Sequence, residues 1–328
     1  MTADVSRIIS ITRLPIILGP VMIHSHWPYE IDSFIQHFCA GVVGFITVPL
    51  YYMVAGYLFF QHYDNSWKLY KQKLLKRIYS LLIPYLLWNL IAYIVYTYLQ
   101  HTMQPSQFME SFWVVADKGG HSPADGPLWF LRTLMILIIA APFFYYLSKW
   151  TYAKYLVSVV VIFWLLNIPG TSSGTVMGGV FFLIGCYIAV NNLDLNVQSL
   201  KKYKSIIYGI FIVLVIVENF VERESYFGTM LYNYILFIGI IVYYFLAEMI
   251  PTGKISEVLA TLGGVSFFIF AVHEMYVSPI QGIIKELMGI NSLSYIVVFI
   301  LVTLCALGTS LLCKKFTPFL FKVLSGNR

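Results

Sequence analysis

The chain has 328 residues, of which 59% are hydrophobic, 17% aromatic and only 11% charged, and its mean hydropathy is +0.78. About a quarter of the residues of a soluble domain are charged, so this composition excludes an ordinary soluble protein and indicates an all-α polytopic membrane protein. A formal net charge of +6 could attract nucleic acid, but the basic residues are distributed as in a membrane protein. We therefore expect membrane lipids rather than nucleic acid as partners of this chain.

Apolar runs of about 20 residues predict ten transmembrane helices. In chain order they cover approximately residues 8–25, 38–60, 78–100, 128–148, 153–168, 176–192, 205–220, 228–250, 264–282 and 292–313. We find no internal repeat, no cleavable signal peptide and no separate soluble domain, and therefore treat residues 1–328 as one membrane domain.

The distribution of basic residues predicts an orientation. With the N-terminus in the cytoplasm, every Lys and Arg except Lys118, Arg132, Arg223 and Lys285 falls on the cytoplasmic side or at that end of a segment. The positive-inside rule therefore favours ten spans with both termini cytoplasmic. The expected location is a cell membrane, most simply the cytoplasmic membrane of a bacterium.

The four cysteines give no sign of a metal site. Cys39, Cys186, Cys305 and Cys313 all lie within apolar runs, and no CxxC or CxxH spacing is present. We interpret them as packing residues and expect no metal.

Two ionisable residues lie in the first apolar segment, where charge is costly. Arg13 and His24 have ten residues between them, and eleven helical steps return to nearly the same face, roughly 16 Å further along. The pair indicates function, although Arg13 could also be a cytoplasmic anchor and His24 an interfacial residue beside Trp27.

Five further motifs follow in order, and the set covers nearly the whole chain. They are residues 52–59 (YMVAGYLF), a basic stretch at 75–78 (LKRI) leading to 83–85 (IPY), residues 127–132 (PLWFLR), residues 181–185 (FFLIG) and residues 266–273 (SFFIFAVH). Together with Arg13 and His24 they resemble the acyltransferase-three family of integral-membrane O-acyltransferases. The chain departs from that pattern at Ala55, where the family has serine, and at Met275, where it often has proline.

The resemblance implies roles for individual residues. His24 is the expected general base, since a neutral imidazole can take the proton of an attacking hydroxyl, and Arg13 is the second catalytic candidate. Arg77, Lys76, Arg132 and Trp129 are the candidates for binding the donor, with positive-inside anchoring an alternative for Arg77 and an interfacial aromatic belt one for Trp129.

The polar residues of segments four and nine need partners within the membrane. Arg132 requires a carboxylate, an anionic substrate group or a water-filled cavity, and Glu274 and Glu218 are possible partners. His273 and Glu274 either take part in the site or form hydrogen bonds between helices.

The sequence therefore predicts a membrane O-acyltransferase, most simply an O-acetyltransferase, that moves the acyl group of acetyl-CoA to a hydroxyl of a surface glycan or lipid-linked saccharide. A second class is a proton-coupled transporter or flippase of a glycolipid or small metabolite, which would use the same intramembrane Arg, His and Glu as a relay. The paired broken helices that many transporters carry are not recognisable. A receptor or sensor is the third class, which several intramembrane ionisable residues disfavour.

Overall fold

The computed structural model describes residues 3–27, 34–113, 123–171, 173–193 and 197–327, and within these ranges the chain is helical and contains no β-strand. We number the principal helices in chain order: α1 (Ala3–His24), α2 (Phe34–Phe60), α3 (Trp67–Leu99), α4 (Trp129–Ile139), α5 (Ala141–Lys149), α6 (Ala153–Leu165), α7 (Gly174–Val190), α8 (Lys204–Glu218), α9 (Tyr226–Glu248), α10 (Lys254–Gly263), α11 (Ser266–Met288), α12 (Ser292–Phe316) and α13 (Pro318–Leu324). Helices α2 and α3 contain π-helical stretches, which are His37–Gly44 in α2 and Ile78–Leu82 and Val95–Leu99 in α3.

Each of the ten predicted apolar segments overlaps a helix. Six helices in the described ranges are long and apolar enough to cross a membrane, namely α1, α2, α3, α9, α11 and α12, and the bent pair α4 and α5 makes a seventh if counted as one span. Helices α6, α7 and α8 are shorter. The chain is an all-helical multi-pass membrane protein.

The predicted segment 128–148 is broken rather than straight. Helices α4 and α5 meet at Ala140 with a bend of 60°, and Pro142 lies in the first turn of α5. Proline has no backbone N–H to bond the carbonyl of Ile138, four residues earlier, and its ring crowds that carbonyl, so the helix breaks just before it.

Helix α3 begins eleven residues earlier than the apolar run that predicted it. Ser66 caps its N-terminus by accepting a hydrogen bond from the Leu69 N–H at 3.2 Å. The Ser66 N–H in turn donates to Asp64 at 2.8 Å, which holds the pKa of that carboxyl below its usual value. The basic stretch before residue 78 is therefore helical and continuous with the span, and α10 and α13 are further helices that the apolar runs do not predict.

The tightest helix pair in the core is α2 against α7. A Cβ added at Gly185 would lie 2.0 Å from the Met53 carbonyl oxygen, and one at Gly56 would lie 2.4 Å from the Phe182 carbonyl oxygen. Small residues let membrane helices approach to backbone contact, so these glycines fix the distance between α2 and α7.

Helix α1 runs beside α11 in the same direction. Gly263, just before α11, lies against Arg13, where an added Cβ would be 3.2 Å from the Arg13 Cβ. Eleven residues further along each of these two segments, His24 lies beside Glu274. The Tyr295 hydroxyl of α12 donates to the Met22 carbonyl at 3.3 Å and fixes the same end of α1.

Candidate active site

A cavity of about 1100 Å³ lies between α1, α2, α3, α4, α6, α7, α9 and the junction of α10 with α11. Its wall is mostly aliphatic and aromatic, and its ionisable lining residues are Arg13, His24 and Arg77, together with tyrosines of α2 and α9. Arg13 and His24 thus face one space from one helix, as their spacing predicts. Buried charge marks a functional site in a membrane protein, which makes this cavity the candidate active site.

His24 closes one end of the cavity in contact with a carboxylate from α11. Its Nδ1 lies 2.7 Å from Glu274 Oε2, and the two side chains are 25% and 18% exposed. The carboxylate lies close enough to stabilise a positive charge on the imidazole. A neutral imidazole beside a carboxylate can remove a proton while the carboxylate stabilises the resulting cation.

His273 lies directly behind this pair. It is fully buried, its ring centroid is 5.3 Å from that of His24, and its Nδ1 lies 2.7 Å from the carbonyl oxygen of Phe270. The Nδ1–H therefore donates to that carbonyl. His273 Nε2 is buried and has no hydrogen-bond partner in the described part of the chain.

Arg13 lines the other part of the cavity. Its side chain is exposed to that space, and within the described ranges it makes no hydrogen bond or ion pair. Eleven residues of helix are about 16 Å long, so Arg13 enters the cavity well away from His24. A guanidinium in this position is suited to hold an anionic group at a distance from the base.

Arg77 is a second guanidinium in the same cavity, and no described residue forms a hydrogen bond or ion pair with it. Further along α3, Trp88 packs edge-on against Phe268 of α11 with ring centroids 4.9 Å apart. Gln100, later in α3, donates to the carbonyl of Met275, later in α11. The two helices therefore run in the same direction, and Arg77, eleven residues before Trp88, lies toward the end of the cavity where Arg13 meets Gly263. Two unpaired guanidiniums in a largely apolar cavity make this end a candidate anion-binding site.

The remaining predicted donor-binding residues are placed differently. Trp129 lines the cavity, with its ring 3.0 Å from where a Cβ of Gly174 would lie. Lys76 is exposed and does not line it. Arg132 also lies outside the lining and donates a hydrogen bond to the Trp113 carbonyl while stacking 5.1 Å from the Trp113 ring centroid.

The two carboxylates that the sequence offered to Arg132 pair with histidines. Glu274 binds His24, and Glu218 lies 2.5 Å from Nε2 of His37 in the π-helical stretch of α2. Both pairs join segments far apart in the chain, so neither was predictable from local sequence.

Glu218, His37 and Arg223 form an ionic cluster that sequence reasoning missed. The Glu218 side chain is completely buried, and Arg223 Nε lies 3.9 Å from its Oε1. Arg223 also donates to the Gly41 carbonyl at 3.2 Å, and Tyr232 donates to the same oxygen at 2.8 Å. A backbone carbonyl has two lone pairs and can accept from more than one donor, so the cluster holds this stretch of α2. The sequence feature that could have indicated the cluster is Glu218, a glutamate at the end of an apolar helix.

The family model described as an acyltransferase domain matches residues 12–314. The chain belongs to the acyltransferase-three family. Over an alignment of 367 residues it is 23% identical to the succinoglycan biosynthesis protein ExoH of Rhizobium meliloti (strain 1021), covering 100% of this chain and 94% of that protein. No solved structure matches the chain.

Membership of the acyltransferase-three family makes the chain a membrane acyltransferase. The two departures from the family's motifs have clear positions. Ala55, where the family has a serine, lines the cavity without a hydroxyl to offer. Met275, where it often has proline, is buried in the unbroken helix α11, and its carbonyl accepts a hydrogen bond from Gln100 at 3.0 Å.

Proposed function

We propose that this membrane acyltransferase is an O-acyltransferase that transfers an acyl group, most simply acetyl, from acyl-CoA to a hydroxyl of a polysaccharide or lipid-linked saccharide. The observation that carries the proposal is one cavity with a His24–Glu274 pair at one end and two unpaired guanidiniums toward the other. A base and a distant anion site are what a long, polyphosphorylated thioester and a neutral alcohol require.

His24 carries the chemistry in this proposal. Nε2 takes the proton of the acceptor hydroxyl as its oxygen attacks the thioester carbonyl, and the imidazolium so formed is stabilised by Glu274 through Nδ1–H. When the C–S bond breaks, the imidazolium returns that proton to the departing thiolate. One O–C bond forms, one C–S bond breaks and His24 ends in its starting state.

Arg13 and Arg77 hold the donor in this proposal. Guanidiniums bind phosphate bidentately, and the aliphatic wall between them and His24 suits an uncharged arm. The separation of Arg13 from His24 favours donor binding over direct stabilisation of the reacting carbonyl. Lys76, outside the cavity, then contributes only to the positive field at its mouth.

In this proposal the residues around His24 bind the acceptor saccharide. Trp129 offers an aromatic face on which a sugar can stack, and Arg132, held by Trp113, lies near that end of α4. The polysaccharide class is suggested by the relative named for succinoglycan biosynthesis. Ten spans with cytoplasmic termini would place His24 toward the outer side and the donor site toward the cytoplasm.

The test is acyl transfer by the purified protein in liposomes, with acetyl-CoA labelled in the acetyl group and lipid-linked saccharides as acceptors. Label should appear in the saccharide, and His24→Ala should abolish its appearance. His26→Ala is the matched control, because His26 is exposed and does not line the cavity. A folded His24→Ala variant with the wild-type rate would eliminate His24 as the base. A transporter would instead move its substrate across the liposome without transferring label.

A further inference from the structure

Three potential metal ligands meet beside the end of the cavity that His24 lines. His24, His273 and Glu274 each offer one ligand atom, and these atoms all lie within 4.8 Å of one another. Zinc binds nitrogen and carboxylate oxygen at about 2.0–2.2 Å, so tetrahedral ligands lie roughly 3.3 Å apart. The observed spacing brackets that value, since His24 and Glu274 are 2.7 Å apart. Small side-chain rotations would therefore bring all three ligands onto one ion.

Independently of the spacing, the tautomer of His273 favours a bound cation. Its Nδ1–H donates to the Phe270 carbonyl, which is the arrangement that orients metal-binding histidines through their other nitrogen. Nε2 is left unprotonated, buried and without a hydrogen-bond partner among the described residues. A buried lone pair without a partner is costly, and a cation is one group that would satisfy it.

The composition of the cluster selects the type of cation. Two imidazoles and one carboxylate are the ligands of many catalytic zinc sites, which leave a fourth position open. Mg²⁺ and Ca²⁺ prefer oxygen ligands, and the imidazoles favour a late first-row metal instead. Arg13 and Arg77, the cations of the cavity, lie toward its other end and would not repel the ion strongly.

We propose that His24, His273 and Glu274 form a Zn²⁺ site whose occupation inhibits the enzyme. The inhibition rests on the proposed function of His24, whereas the binding does not. Ligation through Nε2 of His24 takes the lone pair directly. Ligation through Nδ1 displaces its proton to Nε2, and the base is lost in the same way.

The test is direct titration of the purified, tag-free full chain with zinc chloride, by calorimetry after removal of metals with a chelator. We expect one ion per chain, with Glu274→Gln and His273→Gln each weakening binding by at least the roughly 10–100-fold that loss of a residue orienting a metal ligand costs. His26→Ala and His37→Ala should bind as the wild type does, because neither histidine belongs to the cluster. His37→Ala is the stricter control, since His37 also pairs with a glutamate.

A second measurement keeps the test independent of how the variants fold. Co²⁺ bound to the wild-type chain should give the intense visible absorption of four-coordinate cobalt, and zinc should abolish it. The inference is overturned if the wild type binds no zinc, or if folded Glu274→Gln and His273→Gln bind it undiminished. Acyl transfer that continues at saturating zinc overturns the inhibition, whereas zinc binding by a chain that transfers no acyl group supports the site and refutes the proposed function.

Discussion

Replacing Glu274 with glutamine tests whether the carboxylate stabilises His24 during catalysis. The change keeps the shape of the side chain and removes its charge. Stabilisation of an imidazolium by a neighbouring carboxylate is of the order of a hydrogen bond to a charged group, about 1.5–3 kcal/mol, and each 1.4 kcal/mol corresponds to about tenfold in rate. Because the two side chains are 25% and 18% exposed, we expect the lower part of that range, a decrease in kcat of about 10- to 50-fold.

The KM for acyl-CoA should stay unchanged in Glu274→Gln, because Arg13 is about 16 Å of helix away from His24. Initial rates at varied donor concentration separate the two parameters, and Glu286→Gln, on the exposed end of the same helix, is the matched control. A folded Glu274→Gln variant with wild-type kcat refutes the reasoning. A rise in donor KM alone would assign Glu274 to donor binding.

Three other substitutions test the donor site, the helix packing and the buried ionic cluster. Arg77→Ala should raise the KM for acyl-CoA by about 10–100-fold through loss of a charge-assisted hydrogen bond, whereas Lys76→Ala should change it little. Gly185→Ala should lower the free energy of unfolding by about 1–3 kcal/mol, because its Cβ would overlap the backbone of α2, whereas Gly209→Ala, with open space around its Cβ, should not. Glu218→Gln should lower the free energy of unfolding by about 2 kcal/mol, below the full cost of breaking a buried pair because its partners are partly exposed. Donor kinetics check the first, and thermal unfolding in detergent checks the other two.

For each of these three substitutions, one measured outcome would contradict the expected effect. Equal donor KM in Arg77→Ala and Lys76→Ala would mean that the guanidinium serves only as a membrane anchor. Equal Tm values for Gly185→Ala and Gly209→Ala would show that α2 and α7 separate without cost. For Glu218→Gln the comparison is Glu224→Gln, an exposed carboxylate nearby, and equal stability of the two variants would remove the cluster from the energetics of the fold.

Hydropathy predicts where the helices lie, because the cost of unsatisfied backbone in lipid leaves few alternatives. It does not predict the bend at Ala140, since an apolar count ignores the geometry that Pro142 imposes. It also misses α10, whose polar residues between Lys254 and Gly263 lower the mean hydropathy without opposing the helix. The number of spans depends on such short helices, so ten spans stay a prediction.

The site is only partly readable from the sequence. The spacing of Arg13 and His24 reports a shared face because helical periodicity is local. The partner of His24 is not local, since Glu274 lies 250 residues further along the chain, and nothing in either segment says that α1 and α11 are neighbours. For the same reason a search for cysteine spacings could not find a cluster whose two histidines come from opposite ends of the chain.

The helical geometry of α1 sets a fixed distance between Arg13 and His24 along the cavity. Arg13 lies beside Gly263 and His24 lies beside Glu274. The two contacts are eleven positions apart on each segment, with Gly263 at the end of α10 and Glu274 in α11. If Arg13 holds the phosphates of the donor, as proposed above, the rise of α1 selects donor length and contacts with the acyl group do not. A thioester without phosphates would reach His24 but lose its anchor, and a phosphorylated donor with a shorter arm would be anchored and fall short. Rates measured with donors of graded arm length would therefore report the distance between Arg13 and His24 in solution.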